Sequence, residues 1–215
     1  MRRTTALLLA AAALFGMAHA ITDAPTAAAE RATVAAPGIP IYGVGENGSN
    51  RCTLGYAATS STSGRSIAIT AGHCGSAGTT VLTTGRRPIG RYIAVRADQS
   101  GTNTYGYAVI ALNQDVATSG NITPTFAIQR QGAATAGDGV CMFGTTSGMR
   151  CGTVATASAA AATIAGSLSK PGDSGGPVVR MSDHALVGIL IGHDDIENVT
   201  MFEPIAHLEQ LAGLR

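Results

Sequence analysis

Short runs rich in β-branched residues recur along this chain, separated by Gly, Asn, Ser and Pro. The first series is Ile67–Ala71, Thr79–Thr84, Ile89–Val95 and Tyr107–Leu112. The second is Val140–Phe143, Cys151–Ala157, Thr163–Leu168, Pro177–Met181, Leu186–Ile191 and Thr200–Phe202. β-Branched side chains are stiff at χ1 and fit a pleated surface, and the intervening residues favour turns. That density of short strands predicts an all-β barrel or sandwich. The mostly polar stretch Thr118–Pro124 separates the series, placing one barrel at 39–119 and a second at 120–215. Only the end of the chain reads as helix. Pro204 suits a first helical position, and Ile205, Leu208, Leu211 and Leu214 recur at three-residue spacing.

Residues 1–20 read as a secretory signal: Arg2 and Arg3, an apolar core from Ala6 to Met17, then Ala18-His19-Ala20 as a small-x-small cleavage site. The apolar core is too short to span a bilayer as a mature helix, and an uncleaved anchor is the competing reading. Residues 21–38, rich in Ala, Thr and Pro, read as a linker or short propeptide. The expectation is an exported, extracellular chain, free of the membrane once the signal is removed, acting as a monomer. A net charge of +1 with no basic patch argues against nucleic acid as a partner. Four cysteines (Cys52, Cys74, Cys141 and Cys151) in an exported chain argue for two disulfides, with three pairings open. Their spacings fit no common zinc site, and no metal or cofactor is expected.

Chemistry enters at residues 172–177, Gly-Asp-Ser-Gly-Gly-Pro. Flanking glycines leave Ser174 open to a substrate carbonyl. A tight turn there can aim the N–H groups of Gly172 and Ser174 at one point, forming an oxyanion hole. An ordinary hairpin turn is the bland alternative. Residues 70–74, Thr-Ala-Gly-His-Cys, supply what a serine nucleophile needs: a histidine, the residue type suited to act as base, with His73 at the end of an apolar run.

These two motifs, in the order His then Ser, resemble those of the chymotrypsin-like serine proteases. Arg51-Cys52-Thr53-Leu54-Gly55-Tyr56 after a glycine-rich entry, and Val140–Val154 with its Gly-Thr-Thr tip, resemble the bacterial streptogrisin and α-lytic branch. Small secreted trypsin-like proteins of mycobacteria and related actinobacteria are also similar. The resemblance covers most of residues 39–214. It implies two six-stranded antiparallel Greek-key β-barrels with a C-terminal helix, a cleft between the barrels, and disulfides Cys52–Cys74 and Cys141–Cys151. It also implies peptide-bond hydrolysis by Ser174 with His73 as base, on a peptide or protein substrate.

The chain departs from the family pattern at several positions. The triad acid normally opens the strand that here reads Gly106-Tyr107-Ala108-Val109, so its position holds Gly106 and no carboxylate. Asp98, in the preceding loop, is the nearest substitute; Asp115 lies after the strand, and Asp194 and Asp195 follow the substrate-lining strand. The hydroxyl that supports the acid in relatives is absent, because Ile191 stands there. Leu168 replaces the Asp of trypsin-like specificity, and His193 falls on the expected pocket wall, facing solvent or favouring an acidic substrate side chain. Asp173 is expected to pair with a cation, for which Lys170, Arg150 or a new N-terminus are available. These departures raise an alternative function, a weak or inactive pseudoprotease that binds peptides or a protein partner through the cleft.

Overall fold

The computed structural model describes residues 32–45, 48–59, 64–98 and 105–212. The expected signal at 1–20 and the expected linker through residue 31 lie outside the described residues. The folded chain starts earlier than the sequence pattern suggested. Thr33–Ala35 pairs in parallel with Val116–Thr118, and Ala35 is fully buried. A run of small residues gave no periodicity to reveal that strand.

The sequence-predicted runs all become strands, with ends shifted by a few residues. In the N-terminal sheet the order is Gly48–Thr53, Pro40–Gly45, Thr80–Thr83, Pro88–Arg96, Tyr107–Leu112, Ser66–Ala71 and Tyr56–Thr59. Gly48–Thr53 and Tyr56–Thr59 are two arms of one stretch bent at Leu54-Gly55, and no ladder joins them among the described residues. In the C-terminal half Gly139–Gly144, Gly148–Ala157, Ala162–Ala165, Val199–Pro204, Ala185–Asp194 and Pro177–Arg180 pair in a ring. That ring is a closed six-stranded antiparallel barrel. A helix, Ile205–Ala212, ends the described chain. The fold is therefore the all-β, two-barrel architecture that the resemblance implies, with the second barrel closed and the first sheet left as a half-barrel.

Each half has its own core. Ile41, Leu54, Val81, Ile89, Tyr92 and Ile110 fill the first, and Val140, Met142, Val154, Ile164, Leu190 and Phe202 fill the second. Ala185–Ile191 is an unbroken buried run instead of an alternating one. The reason is that both of its faces are covered. Val187 and Leu190 enter the second core, while Leu186 and Ile189 meet Ile69 of the first barrel and Ile205 and Leu208 of the helix. Burying a side chain of this size contributes roughly 1.5–3 kcal/mol. This third cluster holds the Ala185–Asp194 strand against the strand that leads to His73.

The helix is anchored at its start by a buried acid. Glu203, fully buried, accepts a hydrogen bond from His207 Nδ1, while its Oε2 has no partner among the described residues. Burial raises the Glu203 carboxyl above its ordinary pKa, and the His207 hydrogen bond only partly offsets this.

Candidate active site

His73 sits in a single 3₁₀ turn, Gly72–Cys74, at the end of the Ser66–Ala71 strand. Three features fix that turn. Cys74 is bonded to Cys52. The buried Tyr92 hydroxyl donates to Cys74 O at 3.1 Å. A Cβ on Gly75 would lie 2.1 Å from the Tyr92 ring, so only glycine lets the ring pass beneath the turn. The Cys74 and Cys52 sulfurs close to His73 are joined to each other, and so cannot serve as thiolate metal ligands.

Ser174 is brought to this turn by contacts between the barrels. Thr53 N–H donates to Ser174 O at 2.8 Å, and Cys74 Sγ lies 3.8 Å from the same oxygen. The next residue, Gly175, has φ +87°, and a Cβ there would fall 1.9 Å from Thr70 Oγ1. Glycine is required at 175 for both conformation and space. The Ser174 hydroxyl donates to Ile191 O at 3.1 Å, and no hydrogen bond joins it to His73.

The loop before Ser174 is held through its peptide carbonyls. Thr146 Oγ1 donates to Pro171 O at 2.8 Å, and Gly176 N–H donates to Asp173 O at 3.0 Å. A trans peptide points its N–H opposite its C=O. These bonds therefore set the directions of the Gly172 and Ser174 N–H groups, and neither group donates to another described residue. Asp173 is buried and pairs with no cation among the described residues. Its carboxylate accepts N–H groups of Thr146 (2.7 Å), Ser147 (2.9 Å) and Lys170 (2.8 Å). Three amide dipoles thus replace the cation expected from the sequence, and Lys170 is exposed to solvent. The hairpin tip that supplies Thr146 and Ser147 is closed by the Cys141–Cys151 disulfide at its base.

A carboxylate does reach the base, and it comes from the loop. Asp98 Oδ2 lies 2.7 Å from His73 Nδ1, and Asp98 Oδ1 accepts the Gly106 N–H at 2.6 Å. Position 106 itself carries no acid, and the carboxylate beside His73 is the loop substitute that the sequence offered, Asp98. Burial alone would raise the Asp98 carboxyl; the hydrogen bond with His73, the Gly106 N–H and the His73 charge outweigh it and leave it below the ordinary value. The missed signal was strand register. Arg96 pairs with Tyr107, which sets Ala97 and Asp98 opposite Gly106 as the hairpin opens.

The other sequence-selected positions are placed differently. Ile191 is buried with Tyr105 in the first core, so its carbonyl, not its side chain, meets Ser174. Leu168 packs against the second core and lies near Gly152. His193 is partly buried, with Nδ1 3.1 Å from the buried Ser169 hydroxyl and Nε2 3.7 Å from Asp195. Asp194 accepts N–H bonds from Ile196 and Glu197 within its own turn. Asp115 is exposed in a turn beyond the Tyr107–Leu112 strand. A cleft of about 770 Å³ runs along Tyr105, Ala155–Ser158 and Met201, with Asp194 and Glu197 as its charged lining, and neither His73 nor Ser174 lines it.

The sequence pattern of the Trypsin family matches residues 34–209, and the chain belongs to that family. An uncharacterized protein of Mycobacterium tuberculosis, Rv1815, is 36% identical over 143 residues, covering 61% of this chain and 62% of that protein. Streptogrisin-C of Streptomyces griseus is 30% identical over 188 residues, covering 78% of this chain and 38% of that protein. The chain thus spans less than two thirds of either relative's length. Among solved structures, Nocardiopsis protease (NAPase) superposes with a TM-score of 0.67 at 22% identity, over 85% of this chain and 98% of that one. That likeness establishes the fold.

Proposed function

We propose that the protein is an exported serine peptidase that uses Ser174 as nucleophile, His73 as general base and Asp98 as the acid that holds the imidazole. The observation that carries this reading is the 2.7 Å contact between Asp98 Oδ2 and His73 Nδ1. A carboxylate there fixes Nδ1 as the protonated nitrogen and leaves Nε2 free to take a proton. The Ser174 hydroxyl leaves Ile191 O, gives its proton to His73 and bonds to the scissile carbonyl carbon. The resulting oxyanion is met by the N–H groups of Gly172 and Ser174. His73 then passes the proton to the leaving amine, and water repeats the sequence to free Ser174. The substrate is a peptide or protein, and no cofactor takes part.

A pseudoprotease that only binds peptides has no use for a carboxylate held on the base, so the geometry favours turnover over the binding alternative. The two disulfides suit an oxidising compartment, consistent with export. The test is labelling of the processed protein by a fluorophosphonate. Wild type is expected to react at Ser174, Ser174→Ala not at all, and His73→Ala far more slowly. No reaction of folded wild type overturns the assignment.

A further inference from the structure

We propose that Gly106 is a positioning residue for the base: having no side chain, it leaves the space that the Asp98 carboxylate occupies, and its N–H holds that carboxylate on His73. This rests on the peptidase reading above and deepens it. Gly106 is not simply a triad position that lost its acid.

The argument is steric first. A Cβ at Gly106 would stand 2.2 Å from Arg96 O, 2.7 Å from Ala97 C and 2.6 Å from Asp98 Oδ1. Two of these atoms are backbone and cannot swing aside. A Cβ on Gly72, the residue before His73, would meet Arg96 O at 2.0 Å and Gly106 Cα at 2.9 Å. Three chain segments therefore meet at one corner with no side chain between them: the turn bearing His73, the end of the Pro88–Arg96 strand, and the start of the Tyr107–Leu112 strand. Gly106 does not have a left-handed φ, so the requirement is for space and not for conformation.

The polar contacts explain why Asp98 stays in that corner. One carboxylate oxygen is used by His73, and the other by the Gly106 N–H at 2.6 Å. No hydroxyl is available from Ile191, which is buried against Tyr105. A backbone donor thus does the work that a side-chain hydroxyl does in relatives. An aspartate placed at 106 would bring its own Cβ into the Arg96 carbonyl, and so could not take over the role.

The experiment compares Gly106→Ala, Asp98→Asn, their double mutant, Asp98→Ala and Asp98→Ala/Gly106→Asp, with Gly139→Ala as control. Gly139 is exposed, and a Cβ there meets nothing within 4 Å. Gly106→Ala should lower kcat about 10²- to 10⁴-fold, between the cost of a misplaced group and that of a lost acid, with KM little changed. It should also abolish the downfield proton resonance of the His73 Nδ1–H, and the double mutant should be no slower than Asp98→Asn alone. Asp98→Ala/Gly106→Asp should stay as slow as Asp98→Ala. Near-wild-type turnover in Gly106→Ala, full additivity in the double mutant, or recovery of activity in Asp98→Ala/Gly106→Asp would each overturn the proposal. If Gly106→Ala does not fold, the last comparison decides alone. Wild type that fails to label at Ser174 refutes the peptidase reading instead, which separates the two failures.

Discussion

Replacing Asp98 with asparagine keeps the shape of the side chain and removes its charge. In the transition state His73 becomes an imidazolium, and the charge it gains lies 2.7 Å from Asp98 Oδ2. Coulomb's law puts that attraction at about 1.5 kcal/mol in water and about 6 kcal/mol at an effective dielectric of 20. The His73 and Asp98 side chains are 43% and 31% exposed, so the pair belongs between these limits. A value of about 3 kcal/mol corresponds to roughly a 10²-fold loss of rate. Asparagine can also donate to Nδ1 and so favour the wrong tautomer, which extends the loss toward about 10⁴-fold. The assay is kcat and KM on a chromogenic peptide ester and amide, with Ser174→Ala as baseline and circular dichroism to verify folding. The loss should fall on kcat. If Asp98→Asn keeps kcat within about twofold of wild type while Ser174→Ala is inactive, the carboxylate does not serve the base and the reasoning fails.

Thr146→Val removes the hydroxyl that pins Pro171 O, freeing the peptide that carries the Gly172 N–H. It should lower kcat about 10- to 10²-fold with KM nearly constant, less than outright loss of an oxyanion donor, and an unchanged kcat would refute that role. Glu203 gives a prediction about stability. Its folded carboxyl titrates above the ordinary 4.5, chiefly through burial, so the native state holds more protons and stability falls as pH rises through that window. Glu203→Gln removes this slope. The difference in Tm between variant and wild type should become more favourable to the variant from about pH 4 upward, and a flat difference would contradict it. His193→Val should reduce selectivity for substrates with an acidic residue before the scissile bond, by about 10-fold if Ser169 and His193 donate to it, as measured by kcat/KM on paired peptides. Equal selectivity in both proteins would remove His193 from substrate recognition.

The parts of this protein that sequence could specify are those set by neighbours along the chain. The strands were legible because β-branched runs and turn residues alternate locally. Ser174 and His73 were legible because each chemistry sits inside one short motif with its own glycines. Thr33–Ala35 was not, because a strand of small residues paired to a distant partner carries no period. Sequence offered Asp98 only as one substitute among several, and tertiary structure decided that its carboxylate stands beside His73. Asp98 and Gly106 are joined by a hydrogen bond across a hairpin mouth, and sequence shows the two residues without the register that makes them neighbours. The same holds for the buried Asp173, whose charge is met by amides of a hairpin tip some 26 residues earlier, where sequence suggested a cation. Backbone donors and carbonyls are the same at every residue, so no residue type announces them. Only the folded path of the chain decides where they point, and here that path turns an apparently vacant position into the socket for the acid.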